Sequence, residues 1–574
     1  SQAFFSPFFM EIFQKIKISL LQPKFFLSLL LFLFVISFFG ISVFKNIQYP
    51  LFWNDEADTA AFGQRILEIG YPKVHGEKNI LDLTPHPDRT LGIKECCDAF
   101  ITMPWLQYYL AAGTELFLKN ISDFYQKTAV LRIIFSIVGF LGLGFMAFSV
   151  LRFFENKTQK LFFISIFLGL SAISVSLVLH LREVRYYSLA IFVGGLAFWI
   201  FEKWQIEKKT SFWFYCFSSL LALFLMLNTY FPLYFIFIAS FFSYSFLDFL
   251  FCFRRKQLPF LDWKDLIKKI ISSPEFTFFL RSISPILISL LFSIPFIAFF
   301  EVFRVGNEVA KTLPLHYFSN ISRIFGFFVR WEFLFLAIAL EIVVLTLYFS
   351  RKQFLKEKIR KTFFFSRFLV LFFLIYVLVI SRIPFLFERY FILLIPTLNL
   401  IIVLDFFLVS KLSSSRKLIY TLFLFFVING VNHEKQIKER WIEINNRYLG
   451  PLDFSIPYLA EKYPDTKDLI IATNYEEAAY MYYLDAQVII GYTGNNLEKD
   501  SRMVPDVVIL RKGRDNNVDI LQSFLQKNSY EKKSFPVFDS QVNNIPELDC
   551  LLFHLYRTKW ASSEEEKLEI YLKR

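Results

Sequence analysis

Three acidic side chains follow the first long apolar segment of the chain, within the run Trp53-Asn54-Asp55-Glu56-Ala57-Asp58. Charge beside a bilayer is costly to place and usually marks a functional site. A carboxylate here could take or orient the proton of an acceptor hydroxyl. The competing interpretation is helix capping, because Asn54 or Asp55 could accept hydrogen bonds from the first N–H groups of a following helix. Glu56 and Asp58 would then suit the positive end of that helix.

Two arginines stand close together in a short loop, within Leu181-Arg182-Glu183-Val184-Arg185-Tyr186-Tyr187. A guanidinium group is permanently charged and matches the oxygens of a phosphate, so this loop predicts a clamp on an anionic group. Glu183 could orient one arginine, and the two tyrosines could contact a sugar ring. The alternative is that Arg182 and Arg185 extend to lipid head groups.

A later loop repeats the pattern of basic and aromatic residues. It contains Arg382 and Arg389, and Tyr390 follows directly. Acidic and basic side chains from well-separated loops on one face favour a functional site over chance placement of each residue alone.

These loops must be positioned by apolar segments. The 574 residues are 55% hydrophobic and 20% aromatic, and the mean hydropathy is +0.46. A soluble domain is nearer to about 45–50% apolar. We therefore expect a polytopic α-helical membrane protein with about eleven transmembrane helices. The expected spans lie near residues 25–44, 128–151, 161–180, 184–202, 211–228, 231–252, 279–300, 325–349, 363–381, 390–410 and 416–430.

Lysine and arginine alternate between the loops, and this alternation predicts the orientation. Basic residues concentrate in loops such as 152–160, 203–209 and 351–361, which we expect to be cytoplasmic. The N-terminus is then cytoplasmic, and the acidic motif and the C-terminus are extracytoplasmic. The same bias accounts for the net charge of +12, so the composition gives no reason to expect a nucleic-acid partner. The predicted location is a bacterial inner membrane.

Two polar parts are expected on the extracytoplasmic side. The first external loop, 45–127, should hold a helix over 56–69, stopped by Gly70, and a second amphipathic stretch over 105–118. The tail, 432–574, should form a small α/β domain. Its predicted strands begin at Leu469, Val488 and Val507, and its predicted helix covers 476–484.

Three segments resemble the bacterial branch of the GT-C glycosyltransferase superfamily, which includes the aminoarabinose transferases of lipid A and the protein O-mannosyltransferases. They are Trp53-Asn54-Asp55-Glu56-Ala57, Pro104-Trp105-Leu106-Gln107-Tyr108-Tyr109 and Arg182-Glu183-Val184-Arg185-Tyr186. A weaker fourth match runs from Glu388-Arg389-Tyr390 to Pro396. The second segment departs from the commoner Lys-Pro-Pro pattern, because Thr102-Met103-Pro104 stands here.

The resemblance implies a GT-C-like catalytic domain over 1–431 and an extracytoplasmic α/β domain over 432–574. It implies transfer of a sugar from a polyprenyl-phosphate donor to a glycan, lipid or protein acceptor. The catalytic domain itself would be surrounded by membrane lipid. Asp55 is then the acidic residue nearest the reaction, and Glu56 accompanies it as a catalytic candidate. The expected donor-phosphate ligands are Arg182, Arg185, Arg389 and Arg382. The expected substrate-binding residues are Asp58, Glu183, Tyr186, Tyr187 and Tyr390.

No cofactor is certain from the residues, and the metal question stays open. A divalent metal ion on the acidic motif is one option. Zinc held by residues of the first external loop is another, although their spacing matches no standard zinc pattern. The residues concerned are His75, His86, Cys96 and Cys97.

Three other classes of protein compete with a glycosyltransferase. One is a non-catalytic scaffold, which would need no cluster of acidic residues and arginines on one side. A transporter or flippase of a lipid-linked or anionic glycan should show repeats and helices interrupted by glycine, yet the chain has only 19 Gly. A lipid-glycan ligase or polymerase would be expected to place its catalytic residues in a large late external loop, whereas the acidic motif here follows the first span.

Overall fold

The computed structural model of the chain describes residues 23–81, 90–91, 98–254, 268–303, 316–351, 356–383, 386–413, 415–432, 438, 446–491, 497–539 and 558–574. Up to residue 432 the regular structure is almost entirely helical. The helices are α1 (Pro23–Phe44), α2 (Asn54–Ile69), α3 (Leu106–Glu115), α4 (Phe124–Val150), α5 (Lys157–Ile173), α6 (Val175–Leu181), α7 (Tyr186–Phe201), α8 (Phe212–Leu227), α9 (Phe231–Arg254), α10 (Pro274–Phe299), α11 (Tyr317–Trp331), α12 (Leu334–Arg351), α13 (Glu357–Ile380), α14 (Leu394–Leu412) and α15 (Arg416–Asn432).

Seven of the described helices are long and apolar enough to cross a membrane, judged by length and composition. Two bent pairs, α5 with α6 and α11 with α12, turn by 80° and 95° and bring the number to nine. The other two predicted spans are helical but shorter, with 16 residues in α8 and 17 in α15. At 1.5 Å per residue they are about 24–26 Å long, against roughly 30 Å of hydrocarbon. The multi-pass class is confirmed, and the number eleven stays a prediction.

The loop 45–127, which is predicted to be external, contains both predicted helices, α2 and α3, and a short antiparallel pair, β1 (Thr90–Leu91) with β2 (Ala99–Phe100). Helix α2 ends where Gly70 adopts a φ of +97° and donates its N–H to the carbonyl of Ile66. Glycine takes this left-handed conformation without the strain that a Cβ would bring, which explains the predicted stop.

The C-terminal part is a mixed sheet with helices, as expected. It consists of α16 (Leu452–Lys462), β3 (Ile470–Thr473), α17 (Glu477–Leu484), β4 (Gln487–Ile490), α18 (Leu497–Asp500), β5 (Val507–Ile509), α19 (Val518–Lys527), β6 (Tyr530–Phe538) and β7 (Lys567–Lys573). The strand order is β4-β3-β5-β7-β6, with β3 parallel to β4 and β5, and with β7 antiparallel to β5 and β6. The three predicted strands are confirmed. The strands β6 and β7 were not predicted, because charged residues alternate with the apolar ones and leave no continuous apolar run like those of β3, β4 and β5.

The loop 45–127 and the C-terminal domain share one apolar core, which fixes the start of α2. The N–H of Leu51 donates to Asp453 Oδ1 at 3.1 Å, and the N–H of Phe52 donates to the hydroxyl of Tyr483 at 3.1 Å. Burial raises the pKa of the Asp453 carboxyl to about 7. The segment just before the acidic motif is therefore held from both sides.

Helices α4 and α7 approach until their backbones touch. A Cβ on Gly142 would lie 2.5 Å from the carbonyl oxygen of Ile191, and a Cβ on Gly195 would lie 2.2 Å from the carbonyl oxygen of Gly142. Small residues allow such close packing of membrane helices. This contact fixes the position of α7, whose first residue directly follows Arg185.

Candidate active site

The carboxylate of Asp55 lies in the first turn of α2, between two arginines from distant parts of the chain. Its Oδ2 atom is 3.5 Å from Arg185 Nη2 and 3.7 Å from Arg389 Nη1. The side chain is 26% exposed, while those of Arg185 and Arg389 are 10% and 12% exposed. The N-cap residue of α2 is Trp53, which makes no side-chain cap hydrogen bond. The first predicted acid thus meets two of the four predicted arginines.

Arg185 is anchored to the backbone of α2 as well as to Asp55. Its Nη1 donates to the main-chain oxygen of Asp55 at 3.1 Å and to Thr59 Oγ1 at 3.2 Å. Burial opposes the charge of this guanidinium, but the neighbouring Asp55 carboxylate outweighs it, so the pKa of Arg185 lies above its ordinary value. Arg185 remains a fixed cation at the N-terminal end of α7.

Glu56 points into the protein and has a different environment from Asp55. It is fully buried, and its two oxygens accept hydrogen bonds from Arg132 Nε at 2.9 Å and Arg132 Nη2 at 2.6 Å. The N–H of Val184 also donates to Glu56 Oε1, at 3.0 Å. Glu56 therefore ties α2 to α4 and to the loop that carries Arg185.

Three tyrosine rings form a stack beside the arginines. The ring of Tyr230 stacks on Tyr186 with centroids 4.9 Å apart and lies 6.4 Å from Tyr390. Arg185 lies 6.0 Å from the ring of Tyr186, and Arg389 lies 5.7 Å from the ring of Tyr390. The stack forms an aromatic wall with a cation at each end, a surface suited to a sugar or an isoprenoid.

Several buried polar atoms at this place have no hydrogen-bond partner among the residues that the structure describes. Buried polar groups are normally paired, and unpaired ones are costly. Their concentration around Asp55 indicates a site that is completed by a polar ligand. The atoms are Trp53 Nε1, Asn54 Oδ1, Gln107 Nε2, Arg185 Nε and the hydroxyls of Tyr186 and Tyr187.

Glu183 contacts a histidine rather than an arginine. Its carboxylate hydrogen-bonds His180 Nδ1, and His180 Nε2 lies 3.7 Å from Glu388 Oε1. Burial raises the pKa of the Glu183 carboxyl. This buried network joins the loop of Arg185 to the turn of Glu388, so it fixes the distance between the two arginine-bearing segments.

A cavity of about 280 Å³ opens next to Glu388. Arg323 and Arg330 of α11 line it, with Gly326 between them. The helix α11 is amphipathic and ends at the 95° bend before α12. The cavity therefore presents two cations beside the Asp55 site.

The remaining predicted residues are Arg182, Arg382 and Asp58. Arg182 donates from Nη2 to the main-chain oxygen of Asn46 at 3.0 Å. Arg382 is exposed past the end of α13, and Asp58 is half-buried on α2.

Sequence reasoning missed Arg132, His180 and Tyr230. The first two are ionisable side chains within apolar helices, which is a signal that could have identified them. Tyr230 has no such signal, because aromatic residues fill the whole bundle.

The metal ligands suggested by the sequence are only partly among the described residues. Within the described ranges, no group of three or more His, Cys, Asp or Glu side chains could hold a metal ion. His75 hydrogen-bonds Asp98 at 2.9 Å. The other zinc candidates, His86, Cys96 and Cys97, lie outside the described residues.

The geometry permits one kind of chemistry above others. A partly exposed carboxylate can polarise a hydroxyl, while two arginines beside it can hold an anionic leaving group. The aromatic wall and the unpaired hydroxyls can hold a polar ring between them.

The sequence matches no protein-family model and no curated protein. Two solved structures are similar to the chain in overall fold. One is ArnT from Cupriavidus metallidurans in the apo state, at 10% sequence identity and a TM-score of 0.48, with 95% of this chain and 97% of that chain covered. The other is the same protein bound to undecaprenyl phosphate, with the same identity and coverage and a TM-score of 0.47.

Proposed function

We propose that the chain is a glycosyltransferase that moves a sugar from a polyprenyl-phosphate donor to an acceptor at the Asp55 site. The observation that carries the proposal is the convergence of Arg185 and Arg389 on the single carboxylate of Asp55, at 3.5 and 3.7 Å. Tight charged hydrogen bonds are shorter, about 2.7–2.9 Å. The three groups keep a net positive charge, and their loose contacts can rearrange around a phosphate.

The proposed reaction uses each of these groups once. The donor phosphate binds Arg185 and Arg389, which stabilise the charge that develops as the bond between sugar and phosphate breaks. Asp55 hydrogen-bonds the acceptor hydroxyl and takes its proton late, while the new bond between sugar and oxygen forms. The stack of Tyr186, Tyr230 and Tyr390 contacts the sugar or the first isoprene units.

Glu56 and Glu183 are assigned to positioning in this proposal. Glu56 holds Arg132 and the N–H of Val184, and Glu183 holds His180. Both carboxylates fix the loop that carries Arg185, and Glu56 could not accept a proton from an incoming hydroxyl without losing its contacts with Arg132 and Val184. Arg182, Arg382 and Asp58 remain candidate ligands for parts of the donor farther from the reacting bond.

The donor is expected in the membrane and the acceptor outside the cytoplasm. This orientation rests on the alternation of Lys and Arg in the loops, which places the Asp55 end of the bundle outside. A polyprenyl chain would then stay in lipid while its phosphate lies at the boundary beside Arg185.

Binding of a polyprenyl phosphate compared with the uncharged polyprenol tests the phosphate clamp. We expect Arg185→Ala to lose about ten- to a hundredfold of the preference for the phosphate, as for one lost charged hydrogen bond. Arg185→Lys should lose most of it too, because the planar fork is gone. The matched control is Arg447→Ala. Arg447 also lies over a tyrosine ring, Tyr49, at 5.3 Å, but is exposed and outside the cluster.

The same assay separates the arginines from one another. Arg182, Arg382 and Arg389 are each replaced by alanine and compared with the parent. An unchanged preference for the phosphate in Arg185→Ala would remove Arg185 from the clamp. Release of polyprenyl phosphate from a panel of polyprenyl-phosphate sugars, followed by mass spectrometry, tests turnover; tight binding without release from any donor would favour a flippase.

A further inference from the structure

A second polar cavity lies at the end of the bundle opposite to Asp55. Helix α7 starts beside Arg185 and continues into a π-helical turn, Glu202–Ile206. A cavity of about 170 Å³ opens between this turn, the last turns of α9 and the N-terminal part of α10 up to Ser282. A single water occupies about 30 Å³ of liquid, so the cavity has room for a small organic group. Residues that line it include Gln205, Lys208, Ser245, Asp248, Glu275 and Phe278.

One pole of the cavity holds Lys208. Lys208 has a φ of +57°, a conformation that side-chain-bearing residues seldom adopt unless their surroundings fix it. Its Nζ lies 3.6 Å from Asp248 Oδ2 and 4.5 Å from the centroid of Phe278. The N-terminal end of α10 contributes a positive helix dipole at the same wall, together with the carboxylate of Glu275 in its first turn. The group at this pole that a phosphate can pair with is Lys208.

The other pole carries an unpaired acceptor. Gln205 is only 3% exposed, and its Nε2 donates to Ser245 Oγ at 2.6 Å. Its Oε1 atom has no hydrogen-bond partner in the described part of the chain. A buried carbonyl oxygen without a donor is costly, so the site calls for a ligand with N–H or O–H groups. π-Helical turns such as the one that holds Gln205 occur frequently at functional sites.

The surroundings of the cavity are apolar and face outward. The last turns of α9 expose Phe246, Leu247 and Leu250 by 41%, 54% and 43%. Inside, Phe249 and Phe279 lie with ring centroids 5.4 Å apart. Aromatic faces attract a cation, and exposed apolar side chains at the end of a spanning helix suit acyl chains.

We propose that this cavity binds the head group of a phospholipid that carries a phosphate and a primary ammonium, as phosphatidylethanolamine does. The ammonium donates to Gln205 Oε1 and Asp248, the phosphate pairs with Lys208, and the acyl chains lie on α9. A primary ammonium is favoured over a quaternary one, because only the former has the N–H groups that Gln205 Oε1 lacks. The inference is independent of the proposed transferase reaction.

Native mass spectrometry of the full chain in detergent tests the proposal, with equimolar phosphatidylethanolamine, phosphatidylcholine and phosphatidylglycerol. We expect phosphatidylethanolamine to bind about tenfold more tightly than the other two, as for one charged hydrogen bond. Replacing Gln205 by leucine (Gln205→Leu), or the half-buried Asp248 by asparagine (Asp248→Asn), should bring the ratio of these lipid affinities close to one. The second variant keeps the test decisive if the first one does not fold.

The matched control is Lys411→Met at the same end of the bundle. Lys411 pairs with Glu155 at 2.7 Å and lies 5.7 Å from the ring of Phe407, but it does not line the cavity. The lipid preference should not change in this variant. Equal binding of the three lipids by the parent, or an unchanged preference in Asp248→Asn, would overturn the proposal. Displacement of the bound lipid by soluble phosphoethanolamine at equal concentration would overturn the assignment to a lipid.

Discussion

Replacing Asp55 by asparagine should weaken transfer and strengthen binding of the donor phosphate at the same time. Asparagine keeps the shape of the side chain and removes its charge. Arg185 and Arg389 would then lose the Asp55 carboxylate that lies 3.5 and 3.7 Å from them, and the donor phosphate would no longer share them with Asp55. Opposite changes in binding and in rate are expected only if carboxylate and phosphate meet at the same two arginines.

The sizes of the two effects follow from the geometry. Two unit charges about 6 Å apart repel by about 0.7–3 kcal/mol for effective dielectric constants of roughly 80 to 20. Asp55 is 26% exposed, so we take a value near 1 kcal/mol, or about a fivefold gain in affinity for the phosphate. Loss of the group that takes the proton should lower the rate about 10²–10⁴-fold. The fold should survive, because Arg185 keeps its bonds to the main-chain oxygen of residue 55 and to Thr59.

The assay compares Asp55→Asn with Glu68→Gln, which removes the same charge from an exposed position at the other end of α2. Titration with a polyprenyl phosphate reports affinity, and mass spectrometry of released polyprenyl phosphate reports turnover. Thermal unfolding should place both variants within about 1 kcal/mol of the parent. Transfer at the parental rate by Asp55→Asn would refute the catalytic role. A loss of phosphate affinity in parallel with turnover would refute the shared site.

Three further changes have outcomes set by the packing. Glu56→Gln removes the negative charge with which Arg132 pairs in the core, so the free energy of unfolding should fall by about 3–5 kcal/mol. Adding Arg132→Met to this variant should restore part of that free energy, as measured by denaturation curves. Burial raises the pKa of Glu115 from 4.5 to about 7. The folded state therefore holds the Glu115 proton more tightly than the unfolded state does, so the free energy of unfolding should fall as pH rises from 4.5 through 7. Between pH 5 and pH 8 this fall should be about 2–3 kcal/mol smaller in Glu115→Gln than in the parent. Gly142→Ala should cost about 1–3 kcal/mol because a Cβ meets α7 at 2.5 Å, whereas Gly144→Ala, with nothing within 4 Å, should leave the melting temperature unchanged.

The sequence by itself determined the membrane class, most helix positions and the parallel strands of the tail. Long apolar runs can satisfy their backbone in lipid only as helices, so composition decides the class. Gly70 stops α2 for a local reason, since it alone adopts the left-handed end conformation without strain. Periodicity likewise predicted β3, β4 and β5, whose apolar runs are buried.

Only the tertiary structure decided which arginines the two neighbouring acids, Asp55 and Glu56, contact. Asp55 and Glu56 are neighbours in sequence, but adjacent residues of a helix point about 100° apart. Glu56 therefore meets Arg132 in the core, while Asp55, which is 26% exposed, meets Arg185 and Arg389. These partners are separated from the acids by many residues, and no local pattern encodes such contacts. The contact between His180 and Glu388, which joins the two arginine-bearing segments, likewise forms only after the helices pack.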